Sequence, residues 1–140
     1  MFLLDTNVLS TMMHEPLPPS VAAWFAGTPS RFLFTAAICQ AEILAGIAVL
    51  PAGRRRRGLQ SAAHTMFEIR FIAKVWSFDT SAADAYATIF ASRNRAGLHV
   101  EPPDLMIAAV ALSHDASVVT RNVSDFEGCG VAVIDPWDDA

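Results

Sequence analysis

The fold class is decided by residues 2–10, which read FLLDTNVLS and change character at one position. The first three residues form a short apolar run that predicts a buried strand, and Asp5 ends that run. Residues 6–13 then have the pattern of a helix that stops near Pro16. A strand that passes through a polar turn into a helix is typical of an α/β sheet, whose sites lie at the carboxyl ends of its strands.

The rest of the chain repeats this alternation of strand and helix. Further strands are predicted at residues 31–35, 74–78, 116–120 and 131–134, and further helices at 21–26, 36–50, 54–71, 80–96 and 104–114. This order predicts a three-layer α/β sandwich in which a parallel sheet of about four or five strands is flanked by helices. The length of 140 residues predicts a single domain over residues 1–140.

The composition is apolar for a small domain, with 53% hydrophobic and 17% charged residues. The longest apolar runs, 43–50 and 105–112, have eight residues each, whereas a bilayer helix needs roughly 18 or more. A chain with this much apolar sequence is not disordered. The surplus of apolar side chains predicts a buried interface with a partner and no association with a membrane.

The formal net charge of −4 excludes a general electrostatic binder of nucleic acid or anionic lipid. Contact with nucleic acid must therefore be local or mediated by a metal. The two cysteines, Cys39 and Cys129, have no disulfide or metal-ligand spacing. The opening MFLLD lacks the basic region of a signal peptide, so the cytoplasm is the expected location.

Three acids stand in apolar surroundings. Asp5 ends an apolar strand, Glu42 lies in a helix whose only other polar side chain is Gln40, and Asp104 is followed by eight apolar residues. A carboxylate on an apolar face costs several kcal/mol unless it is paired, hydrogen-bonded or bound to a cation. Together the three predict one shared site for Mg²⁺ or Mn²⁺, which prefer carboxylate oxygens.

Each acid also has a local explanation. Asp5 can cap the helix that follows it, and Asp104 can face the dipole of a helix whose first turn it occupies. Glu42 can occupy a surface position on a helix whose apolar neighbours face a partner. Two further candidates, Asn122 and Asp125, follow the strand predicted near residue 118 and can reach the strand ends, although Asn and Asp also favour turns.

Four ordered segments carry a family resemblance: LDTNVLS at 4–10, AEILAGI at 41–47, PDLMIAA at 103–109 and TRNVSDF at 120–126. The ending VIDPW at 133–137 agrees with them. The chain resembles PIN-domain ribonucleases, specifically the VapC and FitB-like toxins of type II toxin–antitoxin operons. The resemblance extends over essentially the whole chain, and the four segments together are specific although Asp-Thr-Asn alone is weak.

The resemblance implies a PIN-like fold and an endoribonuclease that uses one or two Mg²⁺ or Mn²⁺ ions to hydrolyse RNA phosphodiester bonds. It implies that the catalytic and metal-binding acids are Asp5, Glu42, Asp104 and Asp125. Many relatives carry Asp where this chain has Asn122, so the fourth position is either Asp125 or Asn122; we take Asp125 as the acid. The supporting residues are then Thr6, Asn7, Thr120 and Asn122.

The resemblance also implies partners: a homodimer, a small antitoxin of the VapB or FitA type, and operator DNA bound by the assembly. The basic run 54–57 follows Pro51 and Gly53 at a predicted helix start. Arg54 and Arg55 in this run, and Arg121 beside the proposed site, are candidate RNA contacts. The run can instead be a solvated helix start or contact an acidic antitoxin segment, and Arg121 can pair with a carboxylate.

Two other functions compete with this interpretation. A phosphatase of the haloacid dehalogenase type needs a second Asp two residues after the first, where this chain has Asn7, and Lys74 is a poor candidate for its lysine. The other alternative is a catalytically weak PIN-like module that acts mainly within an antitoxin–operator DNA repressor complex. The three retained acids disfavour that alternative, because an inactive site has no need for them.

Overall fold

The centre of the fold is a parallel sheet. The computed structural model describes residues 1–14, 16–99 and 101–138, and within them five strands are hydrogen-bonded in the order β3-β2-β1-β4-β5, all parallel. The strands are β1 (Phe2–Leu4), β2 (Leu33–Ala36), β3 (Val75–Trp76), β4 (Ser117–Val119) and β5 (Val133–Ile134).

Helices alternate with these strands along the chain. They are α1 (Thr6–Met12), α2 (Pro19–Ala26), α3 (Ala37–Ala48), α4 (Arg54–Thr65), α5 (Thr80–Arg95) and α6 (Pro102–Ser113). Within the described ranges, no helix is both long and apolar enough to span a membrane. The predicted α/β class is confirmed.

Both faces of the sheet are covered. Successive side chains of a strand point to opposite faces, yet Leu3 and Leu4 of β1 are both fully buried, as are Val118 and Val119 of β4. The predicted three-layer arrangement is therefore confirmed. Burial on two faces also explains why the strands are continuous apolar runs.

The chain changes direction across the sheet at β1. The strands β2 and β3 lie on one side of β1, and β4 and β5 lie on the other. The backbone N–H of Asp5 donates to the carbonyl oxygen of Val119 at 2.9 Å, so the carboxyl ends of β1 and β4 are joined. In parallel sheets such a switch point forms a crevice where ligands bind.

The helix predicted at 54–71 is interrupted. The helix α4 ends at Thr65 and continues as a π-helical turn, Met66–Arg70, closed by a hydrogen bond from the Phe71 N–H to the Met66 carbonyl oxygen at 2.9 Å. Met66, Phe67 and Phe71 are all buried. In a regular α-helix the side chains of Met66 and Phe71 would point in different directions. The wider π-helical turn brings both toward the same face.

Several element ends also differ from the predictions. The strand predicted at 31–35 begins as a 3₁₀ turn, Ser30–Phe32, and the strands predicted at 74–78 and 131–134 shorten to two residues each. The helix α6 begins two residues early, at Pro102, because proline fits the first turn of a helix, where no N–H is needed.

Candidate active site

Asp5 lies at the carboxyl end of β1, and only 5% of its surface is exposed. Its Oδ1 accepts a hydrogen bond from the backbone N–H of Thr6 at 2.7 Å, so Asp5 caps α1. Its Oδ2 accepts a hydrogen bond from Oγ1 of Thr120 at 2.8 Å. The capping role considered for Asp5 is therefore real, but it engages only one of the two carboxylate oxygens.

Thr120 and Asn7 fix Asp5 across the switch point. Thr120 is fully buried, and its Oγ1 accepts hydrogen bonds from Nδ2 of Asn7 and from the backbone N–H of Asn122, both at 3.0 Å. Asn7 Oδ1 accepts from the backbone N–H of Arg121 at 3.1 Å. These bonds tie the turn after β1 to the turn after β4.

Glu42 reaches the same place from α3. Its Oε1 accepts a hydrogen bond from Oγ1 of Thr6 at 2.7 Å. The helix buries Cys39, Ile43 and Ile47, whereas Glu42 itself is exposed. Of the two interpretations of Glu42, the surface position is the one observed: Glu42 lies beside the buried stripe, where water reaches it.

Asp104 enters from the first turn of α6 and is half-buried. Its pKa is raised to about 6, first by burial and then by the negative charges of Asp125, Asp5 and Glu42, in that order. Burial also raises the pKa of Asp5, and the charges of Glu42 and Asp125 add to this, against the hydrogen bonds from Thr120 and Thr6. The four predicted acids are therefore within electrostatic reach of one another.

In the described part of the chain, this group of acids has no ion-pair partner. Among the described residues, none of the four carboxylates lies within 4.0 Å of a Lys, Arg or His nitrogen. The acids also do not yet form a closed ligand shell: no three His, Cys, Asp or Glu side chains of the described chain are arranged to hold an ion. The site is a set of mutually repelling carboxylates that converge without enclosing a common point.

A cleft of about 470 Å³ opens over these acids. Its lining includes Asp5, Glu42, Asp104 and Asn122, together with apolar residues such as Met13 and Leu59. Asp125 is not part of the lining, although its charge acts on two of the acids that are. Of the two candidates for the fourth position, Asn122 lines the cleft, whereas Asp125 lies outside the lining and acts on the other acids through its charge.

The three candidate arginines occupy different places. Arg55, on the first turn of α4, lines the cleft. Arg54 is exposed and outside the lining. Arg121 is also outside it, and its guanidinium carbon lies 5.3 Å from the centre of the Trp137 ring.

Sequence reasoning missed two residues beside the site. Cys39 lies under Asp5, and burial followed by the charge of Asp5 raises the pKa of its thiol to about 12, so it stays neutral. Glu101 precedes Asp104 by three residues, and its charge also raises the pKa of Asp104. Helical spacing is the available signal, since Cys39 stands three residues before Glu42 on α3.

Comparison with known proteins agrees with this geometry. The family model of the PIN domain matches residues 2–127. The chain is 38% identical over 138 residues to the plasmid stability protein StbB of Pseudomonas syringae pv. tomato, with 99% of each chain covered. It is 34% identical to VapC ribonuclease Y4jK of Sinorhizobium fredii, with both chains covered completely. It is also 34% identical to toxin FitB of Neisseria gonorrhoeae, with 99% of this chain and 100% of that protein covered.

A solved structure of FitAB bound to an IR36 DNA fragment superposes closely. The TM-score is 0.91 at 31% identity, and the match covers 100% of this chain and 98% of the other. The resemblance drawn from the four sequence segments is thereby confirmed. The chain belongs to the PIN domain family.

Proposed function

We propose that this chain is the toxin of a type II toxin–antitoxin pair and a Mg²⁺- or Mn²⁺-dependent endoribonuclease, with residues 1–140 forming a single PIN domain. The relatives named VapC ribonuclease and toxin FitB support the proposal, because each aligns over essentially the whole chain. The cleft at the switch point supports it as well, since that is where a parallel sheet places its ligands.

The observation that carries the proposal is the unneutralised group of acids. Asp5 and Asp104 have raised pKa values, and the nearby charges that raise them are carboxylates. This arrangement is unfavourable without a cation, and oxygen-rich anionic donors are those that Mg²⁺ and Mn²⁺ prefer. The donor set therefore fits a divalent ion, even though its members have to draw together to enclose one.

In this proposal Asp5 and Asp104 hold the principal ion, Glu42 contacts it directly or through water, and Asp125 completes the site or holds a second ion. When bound, such an ion supplies a water of lowered pKa and positive charge opposite the phosphate. The chain's own part is to orient oxygens. Thr120 aims Oδ2 of Asp5, and Thr6 holds Oε1 of Glu42.

Asn7 and Asn122 support the same geometry. The side chain of Asn7 bridges the two strand ends, and Asn122 lines the cleft, where its amide oxygen is a neutral ligand or positioning group. For the RNA, Arg55 is the arginine best situated to meet phosphates, because it lines the cleft. Arg54 and Arg121 lie outside the lining and are proposed as peripheral contacts.

We assign partners on the same basis. The solved structure of FitAB has a DNA fragment bound, and we propose that this chain likewise binds a small FitA- or VapB-like antitoxin, and operator DNA through it. The proposed homodimer and antitoxin surfaces need apolar side chains that the isolated chain leaves exposed. The described residues include Leu44, Val49, Ile69, Ile72 and Phe90, each about half exposed or more.

The test is RNA cleavage by Asp5→Asn with Mg²⁺. We expect activity to fall by about 100-fold or more, because the ion loses a ligand whose contribution is several kcal/mol. The matched control is Asp84→Asn, an exposed carboxylate on α5 whose charge acts on neither Asp5 nor Asp104. Far-ultraviolet circular dichroism confirms that both variants fold.

Chelation gives the complementary result. Excess EDTA is expected to abolish cleavage by the wild type, and added Mg²⁺ or Mn²⁺ to restore it. Cleavage that survives in EDTA, or full activity in Asp5→Asn, contradicts the proposed site. A wild type that binds antitoxin and operator DNA but neither metal nor RNA supports the catalytically weak module instead.

A further inference from the structure

Arg93 is a buried cation, and no carboxylate of the described residues lies within 4.0 Å of its nitrogens. It lies in the last turn of α5, and only 5% of its surface is exposed. Its Nη2 donates to the backbone carbonyl oxygen of His99 at 2.6 Å, and its Nη1 donates to the carbonyl oxygen of Glu127. Nη1 also lies 3.7 Å from Sγ of Cys129. Nε is buried and has no partner among the described residues.

The two carbonyl groups belong to segments that flank the proposed site. His99 lies five residues before Asp104, in the connection that leads into α6, and Glu127 lies two residues after Asp125. One planar guanidinium thus binds both the segment that precedes Asp104 and the segment that follows Asp125. A guanidinium suits this task because its several N–H donors have a fixed geometry.

Backbone contacts reinforce the same connection. The N–H of Leu98 donates to the carbonyl oxygen of Arg93 at 3.0 Å, and that of Gly97 donates to Asn94 at 3.1 Å, which is the Schellman pattern. Leu98 then packs on Gly128. A β-carbon at Gly128 would lie 3.2 Å from Cδ1 of Leu98, and the φ of +74° at this residue also favours glycine.

The energetic cost of burying Arg93 indicates that stabilising the fold is not its main role. Burying a charge without a counter-charge, and leaving Nε unpaired, are both unfavourable and offset the stability that the two carbonyl hydrogen bonds contribute. Burial first, and then carboxylate charges, raise the pKa of Asp104. The effect of Arg93 for which the hydrogen bonds give direct evidence is geometric.

We propose that Arg93 is a positioning residue, which ties the segment before Asp104 to the segment after Asp125 and so sets the separation of these two carboxylates. The inference rests on the proposed function, since it concerns how the metal-binding acids are held. Groups that orient ligands from behind typically change metal affinity or activity by about 10- to 100-fold when they are replaced.

The test compares Arg93→Met with Arg93→Lys in the full chain. Methionine keeps an unbranched apolar stem and removes every donor, whereas lysine keeps the charge and can still donate to one carbonyl. We measure Mn²⁺ affinity by calorimetry, kcat and KM for a model RNA, and the thermal midpoint in EDTA. The control is Arg95→Met, an exposed arginine two residues further along α5.

We expect Arg93→Met to weaken Mn²⁺ binding by about 10-fold or more and to lower kcat, with KM for RNA unchanged within about twofold. Arg93→Lys is expected to lie between this variant and the wild type, and Arg95→Met to match the wild type. A purely structural role would lower only the thermal midpoint, so a folded Arg93→Met with wild-type Mn²⁺ affinity and kcat overturns the inference.

A second variant covers the case in which Arg93→Met does not fold. Gly128→Ala places a β-carbon 3.2 Å from Cδ1 of Leu98 and 4.0 Å from Cγ of Arg93, so it disturbs the contact between the same two segments while the Arg93 donors remain, and it is expected to weaken Mn²⁺ binding in the same direction. Unchanged affinity in a folded Gly128→Ala overturns the inference as well. If the wild type itself neither binds Mn²⁺ nor cleaves RNA, the proposed function fails, which is a different result from failure of Arg93 alone.

Discussion

The candidate site has two halves that are built differently. In the buried half, made of Asp5, Asn7 and Thr120, side chains are joined by hydrogen bonds of 2.8 to 3.3 Å. In the open half, made of Glu42, Asp104 and Asp125, two members are exposed and one is half-buried. Among the described residues of that half, Glu42 alone accepts a side-chain hydrogen bond from the site, that of Thr6.

This difference separates two physical tasks. Hydrogen bonds hold one carboxylate in place before any cation arrives, which limits the reorganisation that binding requires. The open half instead carries repelling charges on separate elements, α3, α6 and the turn after β4. In the proposed function, a cation would meet a prepared oxygen on the buried side, and the other acids would have to approach it. Mutations in the two halves should therefore have different effects.

The largest difference is expected from Thr120→Val. This nearly isosteric change removes the donor to the buried Asp5 and the acceptor used by the half-buried Asn7. We expect the free energy of unfolding to fall by about 1–3 kcal/mol, because buried polar atoms lose their hydrogen-bond partners. RNA cleavage should fall by about 10- to 100-fold. Urea unfolding in EDTA and a cleavage assay measure the two effects.

Thr6→Val is the matched comparison in the open half. It removes the hydrogen bond to Glu42, but Glu42 is exposed and water can replace the lost donor, so the loss of stability should stay below about 1 kcal/mol. Equal destabilisation by the two threonine variants would show that the site is not divided in this way.

An intermediate effect is expected from pH. A metal needs Asp104 ionised, and the pKa of this group is about 6 in the absence of metal. Mn²⁺ affinity should therefore be level above about pH 7 and fall about tenfold per unit below pH 6, as protons compete for the carboxylate. Calorimetry between pH 5 and 8 tests this, and constant affinity across the range would contradict it.

The stability of the metal-free protein should respond in the opposite sense. The folded state raises the pKa of Asp104 above its ordinary value of 3.8 to about 6, so the folded chain binds the proton more tightly than the unfolded chain. The contribution of this group to stability is present below about pH 4 and is lost as the pH rises through 6. Asp104→Asn should remove this part of the pH dependence.

The smallest effect is expected from Arg55→Gln. If Arg55 contacts one RNA phosphate, its loss should weaken binding several-fold and reduce the slope of log affinity against log salt by about 1. Arg121→Gln should change binding less, because Arg121 lies against Trp137 outside the cleft. If Arg121→Gln weakened RNA binding more than Arg55→Gln, the RNA would contact the protein near Arg121 and Trp137 and not near Arg55.

The buried half was the more accessible to prediction from sequence. Asp5 directly follows three apolar residues that form a buried strand, so its position at the carboxyl end of that strand could be predicted. The alternation of strands and helices also predicted the sheet, because periodicity and turn residues are local properties. The strand order, with β1 beside β4, is a long-range property that the local pattern does not contain.

The open half was less accessible, for the same reason. Apolar neighbours in sequence suggested a buried Glu42, but one α-helix has both a buried and an exposed side, and the three-residue offset from Cys39 puts Glu42 at the edge between them. Arg93 gave no signal at all. Its role depends on two backbone carbonyl groups from distant turns. Every residue has a backbone carbonyl group, so the sequence does not show which ones accept these hydrogen bonds.

The central claim is that these carboxylates form a cation site, and calorimetric titration with Mn²⁺ at pH 7.5 tests it most directly. The account predicts saturable binding of one or two ions by the wild type, and at least about tenfold weaker binding by Asp5→Asn and by Asp104→Asn, with Asp84→Asn unchanged. The absence of saturable binding by the folded wild type, or equal affinity in all four proteins, would contradict it.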